Sequence, residues 1–306
     1  MAPSIAEYDA LTPAPQRLTG GRSAGSHRTG VDHPGRVTVI TVCFNSVRTI
    51  DRTLDSIAAQ TWPDVEYIVI DGASTDGTVE RLRARAHEID LWISEPDRGI
   101  SDAFNKGIAL ASGEYVALLS SDDWVEPQHF AQAVRGLSDA KVEFVYGDLM
   151  FHPADARPPY VFVGEQDYGL RLPHTMPDLN HPTVVCRRRL YAQHGLYDIG
   201  LRVAMDYEWF LRGFRQGVRG AYVPGLITHM SMEGISHRQF RRGLAEVRDV
   251  SVQYGYPRTR ACARHLIRLL RPEVRRLLEK LMPRAAYVWI RSRLNPNYRP
   301  LGGHTP

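Results

Sequence analysis

Cysteine is scarce in this sequence, and long apolar runs are missing from it. The three cysteines, Cys43, Cys186 and Cys262, lie far apart and form no CxxC pair. That pattern excludes a disulfide scaffold and a thiolate zinc site, and it is typical of a reducing compartment. No stretch reaches the roughly 20 consecutive apolar residues of a membrane-spanning helix, and the N-terminus lacks the apolar core of a secretory signal. We therefore expect a cytoplasmic protein.

Two glycine-rich phosphate-binding signatures are also missing. The first predicted strand is followed by CFNSVRT (43–49), which contains no glycine, so the dinucleotide fingerprint GxGxxG is excluded there. The P-loop pattern GxxxxGK[ST] does not occur. A nucleotide bound by this chain would need its diphosphate neutralised in another way, and a metal ion held by carboxylates would do this.

The charge of the chain is divided unevenly. Its 306 residues are 43% hydrophobic and 24% charged, as in an ordinary globular protein, and the formal net charge is +4. From residue 257 onward, twelve Lys or Arg residues face only two acids, which leaves about −6 for the first 256 residues. One end of the protein is cationic and the body is mildly acidic, which bears on its partners.

Strands alternate with helices after the first 35 residues. Residues 1–35 are rich in Ala, Pro, Gly, Ser and Thr without periodicity, and they predict a disordered leader. Apolar runs predict strands at 37–44, 65–71, 91–94 and 114–120, and helical spacing predicts helices at 49–60, 76–86 and 101–112. Short connections between them favour βαβ units and therefore a parallel sheet.

Polar side chains stand at the end of each predicted strand. Asn45 follows the first strand, Asp71 closes the second and Asp97 follows the third. The fourth strand ends in the adjacent pair Asp122 and Asp123. Ligands of parallel sheets bind beyond the carboxyl ends of the strands, so these residues predict a site. Two neighbouring carboxylates repel each other, and the pair indicates either a solvated helix-capping turn or a divalent-metal site.

Five separated motifs resemble the family 2 glycosyltransferases. They read VTVITVCFN, QTWPDVEYIVIDGASTDGT, SEPDRGISDAFNKGIALASGEYVALLSSDDW, HPTVVCRRRLYAQHGLYD and AMDYEWFLR, in the family's order, between about residues 36 and 235. The resemblance implies an α/β fold of the GT-A type, with a mostly parallel central sheet flanked by helices. It implies a catalytic domain at 36–240, with a nucleotide-sugar half (36–127) and an acceptor half (128–240).

The same resemblance implies an activity. The chain would be an inverting glycosyltransferase that moves a sugar from a nucleoside-diphosphate sugar, a UDP-sugar above all, to a hydroxyl of a saccharide or lipid-linked acceptor. The acidic pair matches the family's metal-binding motif, which implies Mn²⁺ or Mg²⁺. The match places Asp122 at the metal ligand and makes Asp123 a neighbour that orients the ribose, the metal or its waters. Ser120 stands where the first acid of that motif often stands, which leaves the division of roles between the two aspartates open.

The resemblance also implies a set of donor-binding residues. Asp71 matches the acid that accepts a hydrogen bond from the pyrimidine base; by itself it is equally typical of a turn that begins at an aspartate. Many relatives have an arginine where this chain has Phe104, so the phosphate contact would fall to Lys106 or Arg98, unless these residues form a surface salt-bridge face. The implied nucleotide-sugar-binding residues are Val42, Asn45, Asp71, Asp102, Lys106 and Ser121.

Asp206 is the candidate general base. It matches the family's acceptor-side acid and lies at the start of a helix whose aromatic residues have helical spacing. An inverting transfer needs one carboxylate to take the proton of the acceptor hydroxyl. A helix-capping role would also suit an aspartate at this place. Glu208 is the second choice, on another face of the helix.

The C-terminal region, 241–306, predicts a cationic helical tail. Within 262–294, leucines form an apolar stripe flanked by arginines, and Pro272 suits the first position of a second helix. The pattern is typical of binding to an anionic membrane surface, here the inner face of a bacterial membrane. Packing against the catalytic domain or a partner subunit is the alternative. Nucleic-acid binding is disfavoured because no base-stacking or groove-reading motif accompanies the charge.

Two rival functions stay open at this point. A sugar nucleotidyltransferase would use a related fold and acidic metal ligands, but it should carry a glycine-rich basic loop after the first strand, which is missing here. An inactive relative docked on a membrane as a binding protein is the other rival, because the metal motif lacks its first acid. Turnover that disappears in Asp206→Asn would exclude it.

Overall fold

One mixed β-sheet organises the part of the chain that the structure, a computed structural model, describes. The described residues are 3–5, 8, 16–23, 33–153, 158–231, 239–281 and 298–300. The strands are β1 (Leu18–Gly20), β2 (His33–Cys43), β3 (Val65–Asp71), β4 (Leu91–Ser94), β5 (Gly113–Ser120), β6 (Trp124–Val125), β7 (Phe144–His152), β8 (Tyr160–Phe162), β9 (Val185–Arg187), β10 (Gly220–Ser231) and β11 (Tyr298–Pro300). Their order is β1-β4-β3-β2-β5-β9-β7-β10-β6, with β8 on β7 and β11 on β8.

The first half is the predicted βαβ arrangement. Strands β4, β3, β2 and β5 pair in parallel, and the helices between them are α1 (Ile50–Ala58), α2 (Thr78–Ala84) and α3 (Ile100–Leu110). In β2, Val39 and Ile40 are both buried but belong to separate apolar clusters on the two faces of the sheet. A strand covered on both faces needs apolar residues at successive positions, which explains the unbroken β-branched run.

The second half extends the sheet with mixed directions. Strand β9 lies antiparallel between β5 and β7, and β10 runs parallel to β7. Its helices are α4 (His129–Gly136), α5 (Arg189–His194) and α6 (Met205–Arg215). Aromatic rings fill the core under this half, for example Phe144 against Phe210 with ring centroids 5.3 Å apart. The sheet therefore runs continuously from the predicted nucleotide-sugar half into the predicted acceptor half.

The described residues near the N-terminus depart from the predicted disorder. Strand β1 pairs antiparallel with β4. Tyr8 is buried, where it donates a hydrogen bond to Asp102 (3.0 Å) and accepts one from the amide of Asn105 (3.1 Å). The expectation of a disordered leader is thus corrected for these residues, because a tyrosine and a short strand find partners on the catalytic domain that local composition does not reveal.

Two helices close the described chain. Helix α7 (Phe240–Gln253) buries Leu244 and Val250 against the preceding domain. Helix α8 (Arg258–Leu281) runs without a break past residue 272, where a second helix was expected to begin. A proline removes one backbone hydrogen bond but does not have to end a helix. Residues 282–294 of the predicted membrane segment lie outside the described residues. In the described part of the chain, no helix combines the length and apolarity needed to span a membrane.

Candidate functional site

The carboxyl ends of four parallel strands meet at one edge of the sheet. Cys43 pairs with Asp71, Asp71 pairs with Ser94, and Val42 pairs with Ser120 in the strand register. The polar residues that end these strands are therefore neighbours, as the alternation of strands and helices predicts.

The acidic pair forms a turn directly after β5. Asp123 is 1% exposed, and its Oδ1 atom has no hydrogen-bond partner among the described residues. Burial, followed by the charge of Asp122, raises the pKa of Asp123 well above its ordinary value. A buried carboxylate oxygen without a partner is costly unless a cation or a donor reaches it. The turn therefore fits a divalent cation.

Side chains of helix α1 hold the backbone of the acidic turn. The guanidinium of Arg52 donates to the backbone carbonyl of Asp122 at 3.2 Å, and the hydroxyl of Thr53 donates to the carbonyl of Asp123 at 2.7 Å. The side chain of Trp124 lies under the same guanidinium, 3.5 Å from ring centroid to Cζ. The backbone that carries the two acids is thus fixed by side chains of another element.

A chain of imidazoles continues from this turn. The Nε2 atom of His152 lies 2.9 Å from Nδ1 of His229. The Nε2 atom of His229 lies 2.6 Å from the carboxylate of Glu126. Burial and the neighbouring His229 lower the pKa of His152. His229 also stacks on Trp124, which directly follows the acidic pair, so these histidines support the turn.

Asp71 is fully buried and fully hydrogen-bonded. Its Oδ1 accepts from the hydroxyl of Ser74 and from the thiol of Cys43 (3.4 Å), and its Oδ2 accepts from the backbone N–H of Ser74 (2.9 Å) and from the hydroxyl of Ser94 (2.6 Å). With both oxygens engaged, Asp71 fixes the loop that follows β3. This geometry agrees with the turn interpretation of Asp71, and its contact with a base stays a prediction.

Asp97 and Phe44 form a more open pair beside that loop. Phe44 is 63% exposed, an unusual state for a phenylalanine. A Cβ atom at Gly72 would lie 2.6 Å from Oδ2 of Asp97 and 3.3 Å from the Phe44 ring, so only glycine lets both side chains approach here. Oδ1 of Asp97 accepts from the N–H of Gly99 at 2.7 Å. Burial, and beyond it the charges of neighbouring aspartates, raise the pKa of Asp97.

Three of the predicted donor-binding residues hold the strand ends together. Asn45 has a left-handed backbone (φ 52°), and its side-chain oxygen accepts from the N–H of Thr75 at 3.0 Å. The carbonyl of Val42 accepts from the N–H of Ser121 at 3.1 Å. The hydroxyl of Ser121 lies 2.7 Å from that of Ser46. These residues tie the β2 exit both to the β3 loop and to the acidic turn.

Asp102 and Lys106 belong to a network of ion pairs on α3. Asp102 accepts from the guanidinium of Arg98 at 2.7 Å and from Tyr8, and although burial opposes ionisation, these hydrogen bonds lower its pKa. Lys106 lies 3.0 Å from the carboxylate of Glu95, which Arg17 also contacts. The predicted alternative of a salt-bridge face describes this geometry, and a phosphate contact of Lys106 stays a prediction.

Asp206 lies at the N-terminus of α6, as predicted. Burial raises the pKa of its carboxyl group to about 6, while the N–H of Tyr207, which donates to it at 2.7 Å, acts in the opposite direction. A carboxylate with a pKa near working pH is suited to accept a proton. Glu208 instead pairs with Arg212 (2.9 Å) and accepts from Tyr254 (2.6 Å). The carboxylate of Glu208, the second-choice base, is therefore already engaged in an ion pair and a hydrogen bond.

Helix α7 positions the segment that leads into α6. The carboxylate of Glu246 accepts hydrogen bonds from three consecutive backbone N–H groups, those of Arg202 (3.1 Å), Val203 (2.8 Å) and Ala204 (2.9 Å). Its negative charge is a further cause of the raised pKa of Asp206. Sequence analysis missed Glu246 because it lies 40 residues from Asp206 in a helix assigned to the tail.

Asp123 and Asp206 line one cavity of about 320 Å³. His181 lies in the same lining; burial lowers its pKa to about 4, so its imidazole is neutral. The remaining lining is mainly apolar and comes from α3, β5, β7, β8, β10, the loop before β9 and the segment that leads into α6. In the described part of the chain, no three acidic, histidine or cysteine side chains form a ready-made metal cluster.

The sequence of the chain matches one family description and several known proteins. The family description "Glycosyl transferase family 2" matches residues 38–195, just over half of the chain. An uncharacterized glycosyltransferase of Mycobacterium tuberculosis is 36% identical over 182 residues, 58% of this chain and 68% of the relative. A PGL/p-HBAD biosynthesis glycosyltransferase of Mycobacterium bovis is 27% identical over 66% of this chain and 76% of the relative.

Two solved structures share the fold. A mannosyltransferase from Pyrobaculum calidifontis, in complex with GDP-Man and Mn²⁺, superposes with a TM-score of 0.58 at 21% identity, covering 88% of this chain and 83% of that one. The Staphylococcus aureus protein TarS (residues 1–349), in complex with UDP-GlcNAc, superposes with a TM-score of 0.55 at 15% identity, covering 74% and 69%. At these identities the likeness concerns the fold alone.

Proposed function

Because the chain belongs to glycosyl transferase family 2, we propose that this glycosyltransferase is metal-assisted and inverting and that it uses a UDP-sugar as donor. The observation that carries the proposal is the pairing of two unlike carboxylates in one cavity. Asp123 has a buried oxygen with no hydrogen-bond partner in the described part of the chain, and the pKa of Asp206 is raised to about 6. Ionisable groups whose pKa values are shifted by different surroundings within one cavity are typical of a catalytic site.

The base of the donor nucleotide would bind at the exits of β2, β3 and β4. Phe44 offers an exposed ring for stacking, and Asp97 carries an oxygen over Gly72 that could accept the N3–H of uracil. Asp71 would act through the loop, which its four hydrogen bonds hold in place. The backbone of Val42 and the side chains of Asn45 and Ser121 shape the same pocket, while Asp102 and Lys106 support it.

The metal, Mn²⁺ or Mg²⁺, would bind at Asp123, with Asp122 beside it. A divalent cation there supplies positive charge to the diphosphate as it leaves. The fixed carbonyls of Asp122 and Asp123 keep the two carboxylates in place. The relative from Pyrobaculum, whose structure contains Mn²⁺, supports a metal in this fold.

Asp206 would take the proton from the acceptor hydroxyl. The hydroxyl oxygen then forms a bond with the anomeric carbon, while the bond from that carbon to the diphosphate breaks and the diphosphate leaves with the electron pair. Attack from the face opposite the leaving group inverts the anomeric centre. The acceptor would be a saccharide, free or lipid-linked, because the relatives of this chain include a glycosyltransferase of PGL/p-HBAD biosynthesis.

Calorimetric titration tests the donor and the metal together. UDP, dTDP and GDP are titrated into the purified protein with Mn²⁺ and with EDTA, then into Asp123→Asn and into the control Asp139→Asn, whose carboxylate only accepts a nearby backbone N–H. We expect metal-dependent binding of UDP that Asp123→Asn loses and Asp139→Asn keeps. Tighter binding of GDP, or binding unaffected by EDTA, would reject this donor and metal assignment.

The C-terminal helix would bind an anionic membrane surface. Exposed apolar side chains of α8 lie within one 100° arc when drawn at 100° per residue: Leu266, Ile267, Leu270, Val274 and Leu281. Exposed arginines beside them, including Arg264 and Arg271, suit anionic lipid headgroups. Co-sedimentation with vesicles of phosphatidylglycerol should exceed that with phosphatidylcholine and should fall in Leu266→Ser/Leu270→Ser. Equal binding to both vesicle types would contradict the proposal.

A further inference from the structure

One side of the cavity beside Asp206 is an apolar wall. It is built by side chains from β7, β8, β10 and the loop before β9: Leu149, Phe151, Phe162, Met176 and Met230. All five follow residue 127, so the wall belongs to the half of the domain that holds Asp206 rather than to the half that ends at the acidic turn. With Asp206 as the proposed base, the wall would border the acceptor, and Ile100 and Phe104 add apolar lining from the other half.

The wall is held together by contacts among its own side chains and strands. Leu149 pairs with Phe162 across β7 and β8, and the rings of Phe151 and Phe162 meet edge to face with centroids 6.2 Å apart. Phe151 also stacks on Tyr160 at 5.3 Å. Rings held by each other and by strand pairing keep their shape when a substrate binds.

Two polar side chains of the cavity lining, Asn180 and His181, are already in use. Both hydrogen bonds donated by the Asn180 amide go to backbone carbonyls, those of Gly147 (2.8 Å) and Phe162 (3.1 Å). His181 bonds to the hydroxyl of Tyr197 at 3.1 Å. A sugar hydroxyl pressed against this side would exchange its bonds to water for contacts with carbon and sulfur, which is unfavourable.

We propose that the acceptor ring bound beside Asp206 carries a methyl group that packs on the apolar wall. The methyl would be that of a 6-deoxy sugar, where an ordinary hexose has a hydroxymethyl group, or that of an O-methyl sugar, where the hexose has a hydroxyl. The inference rests on the proposed function, because it takes Asp206 as the base. The volume of about 320 Å³ is at the lower end for ligand sites, roughly 300–1,000 Å³, and suits ring-sized groups rather than a lipid chain.

Matched glycosides test the proposal. Protein loaded with UDP and Mn²⁺ is titrated with methyl glycosides that differ at one position: 6-deoxyhexosides against their parent hexosides in the manno, galacto and gluco series, and mono-O-methyl hexosides against the same parents. The deoxy and O-methyl arms distinguish the two sources of the methyl group. We expect at least one methyl-bearing member to bind about 10- to 100-fold more tightly than its parent. Parents that bind as well as their partners, or no binding in any pair, overturn the proposal.

A variant pair tests the wall itself. Met230→Gln places an amide on the wall at similar volume, and Met150→Gln makes the same change at a residue of β7 that lies between two wall residues and outside the cavity lining. The methyl preference should shrink at least fivefold in Met230→Gln and persist in Met150→Gln. An unchanged preference in both overturns the proposal.

The failure of the proposed function is visible separately. Mn²⁺-dependent binding of UDP is measured first in each sample, before any glycoside is added. Its absence would overturn both proposals together. Its presence, with equal affinity for parent and methyl-bearing glycosides, would overturn the acceptor inference alone.

Discussion

The imidazole of His229 lies parallel to the indole of Trp124, with ring centroids 4.9 Å apart and planes 7° apart. The same indole carries the guanidinium of Arg52, which bonds to the carbonyl of Asp122. Trp124 thus contacts both groups beside the acidic turn, the proposed metal site. Outer groups of this kind tune metal sites because they set where the ligands point.

Replacing Trp124 should weaken metal-dependent nucleotide binding. In Trp124→Leu, Arg52 and His229 lose their contacts with the indole ring, so the acidic turn becomes more mobile. Cation binding then has to order the turn, which costs conformational entropy. We expect about a tenfold loss of affinity for UDP in the presence of Mn²⁺, measured by calorimetry. Trp62→Leu is the matched control, since Trp62 bonds to the carbonyl of Gly35 away from the turn. Equal losses in both variants would assign the effect to general stability.

The fold of the first half followed from the sequence, and the reason is local. The chain has unbroken β-branched runs, such as 37–44, and helices of clear periodicity lie between them. This pattern predicts a parallel sheet that is covered on both faces. The resemblance to a family then supplied the candidate residues Asp123 and Asp206. Both lie in one cavity, although no spacing in the sequence brings them together.

Contacts between distant segments could not be read from the sequence. Glu246 reaches the segment before α6 from another helix, and Tyr8 docks on α3 from a stretch whose composition predicts disorder. The hydrogen bonding of both Asp71 oxygens depends in part on the hydroxyl of Ser94, which lies on a neighbouring strand. The position of the Asp97 carboxylate depends on the missing side chain of Gly72, because a Cβ atom there would lie 2.6 Å from Oδ2 of Asp97. Each of these facts depends on tertiary packing, which local propensity does not encode.

Asp97 and Asp71 should respond differently to the same substitution. Asp97→Asn should lower the affinity for UDP about tenfold and leave the melting temperature nearly unchanged, because it alters a group with an oxygen facing the base pocket. Asp71→Asn should lower the melting temperature by several degrees, because an amide cannot accept all four hydrogen bonds. Calorimetry and thermal melting check the two effects. The reverse pattern would restore Asp71 as the residue that contacts the base.

Asp206 should set the acidic limb of the pH–rate profile. Its pKa is raised to about 6, so the carboxylate is present above that pH and turnover should rise tenfold per unit as pH approaches 6 from below. Asp206→Asn should abolish turnover by at least a thousandfold at pH 7.5 while UDP still binds. A profile without an inflection near pH 6, in steady-state rates at saturating donor, would argue against Asp206 as the base.

The same carboxyl group should make stability depend on pH. Because the folded pKa is raised above the unfolded one, protonation of Asp206 stabilises the fold fully below about pH 4, and this contribution is lost as pH rises through about 6. Asp206→Asn should therefore melt at a higher temperature than the parent protein above pH 6 and show no such gain at pH 4. Melting curves from pH 4 to 8 check this. A constant difference across that range would mean that the pKa of Asp206 is not raised.

Glu246 should act on the reaction through Asp206 without touching substrate. Glu246→Gln keeps an acceptor for the N–H groups of Val203 and Ala204 but removes the charge that helps to raise the pKa of Asp206. The acidic limb should therefore move to lower pH, with UDP affinity unchanged. Glu246→Ala also removes the acceptor, so the segment before α6 loosens and kcat should fall about tenfold or more. Glu143→Gln, which breaks a surface ion pair with Arg189, is the matched control. An acidic limb that stays in place in Glu246→Gln would mean that Glu246 has only a structural role.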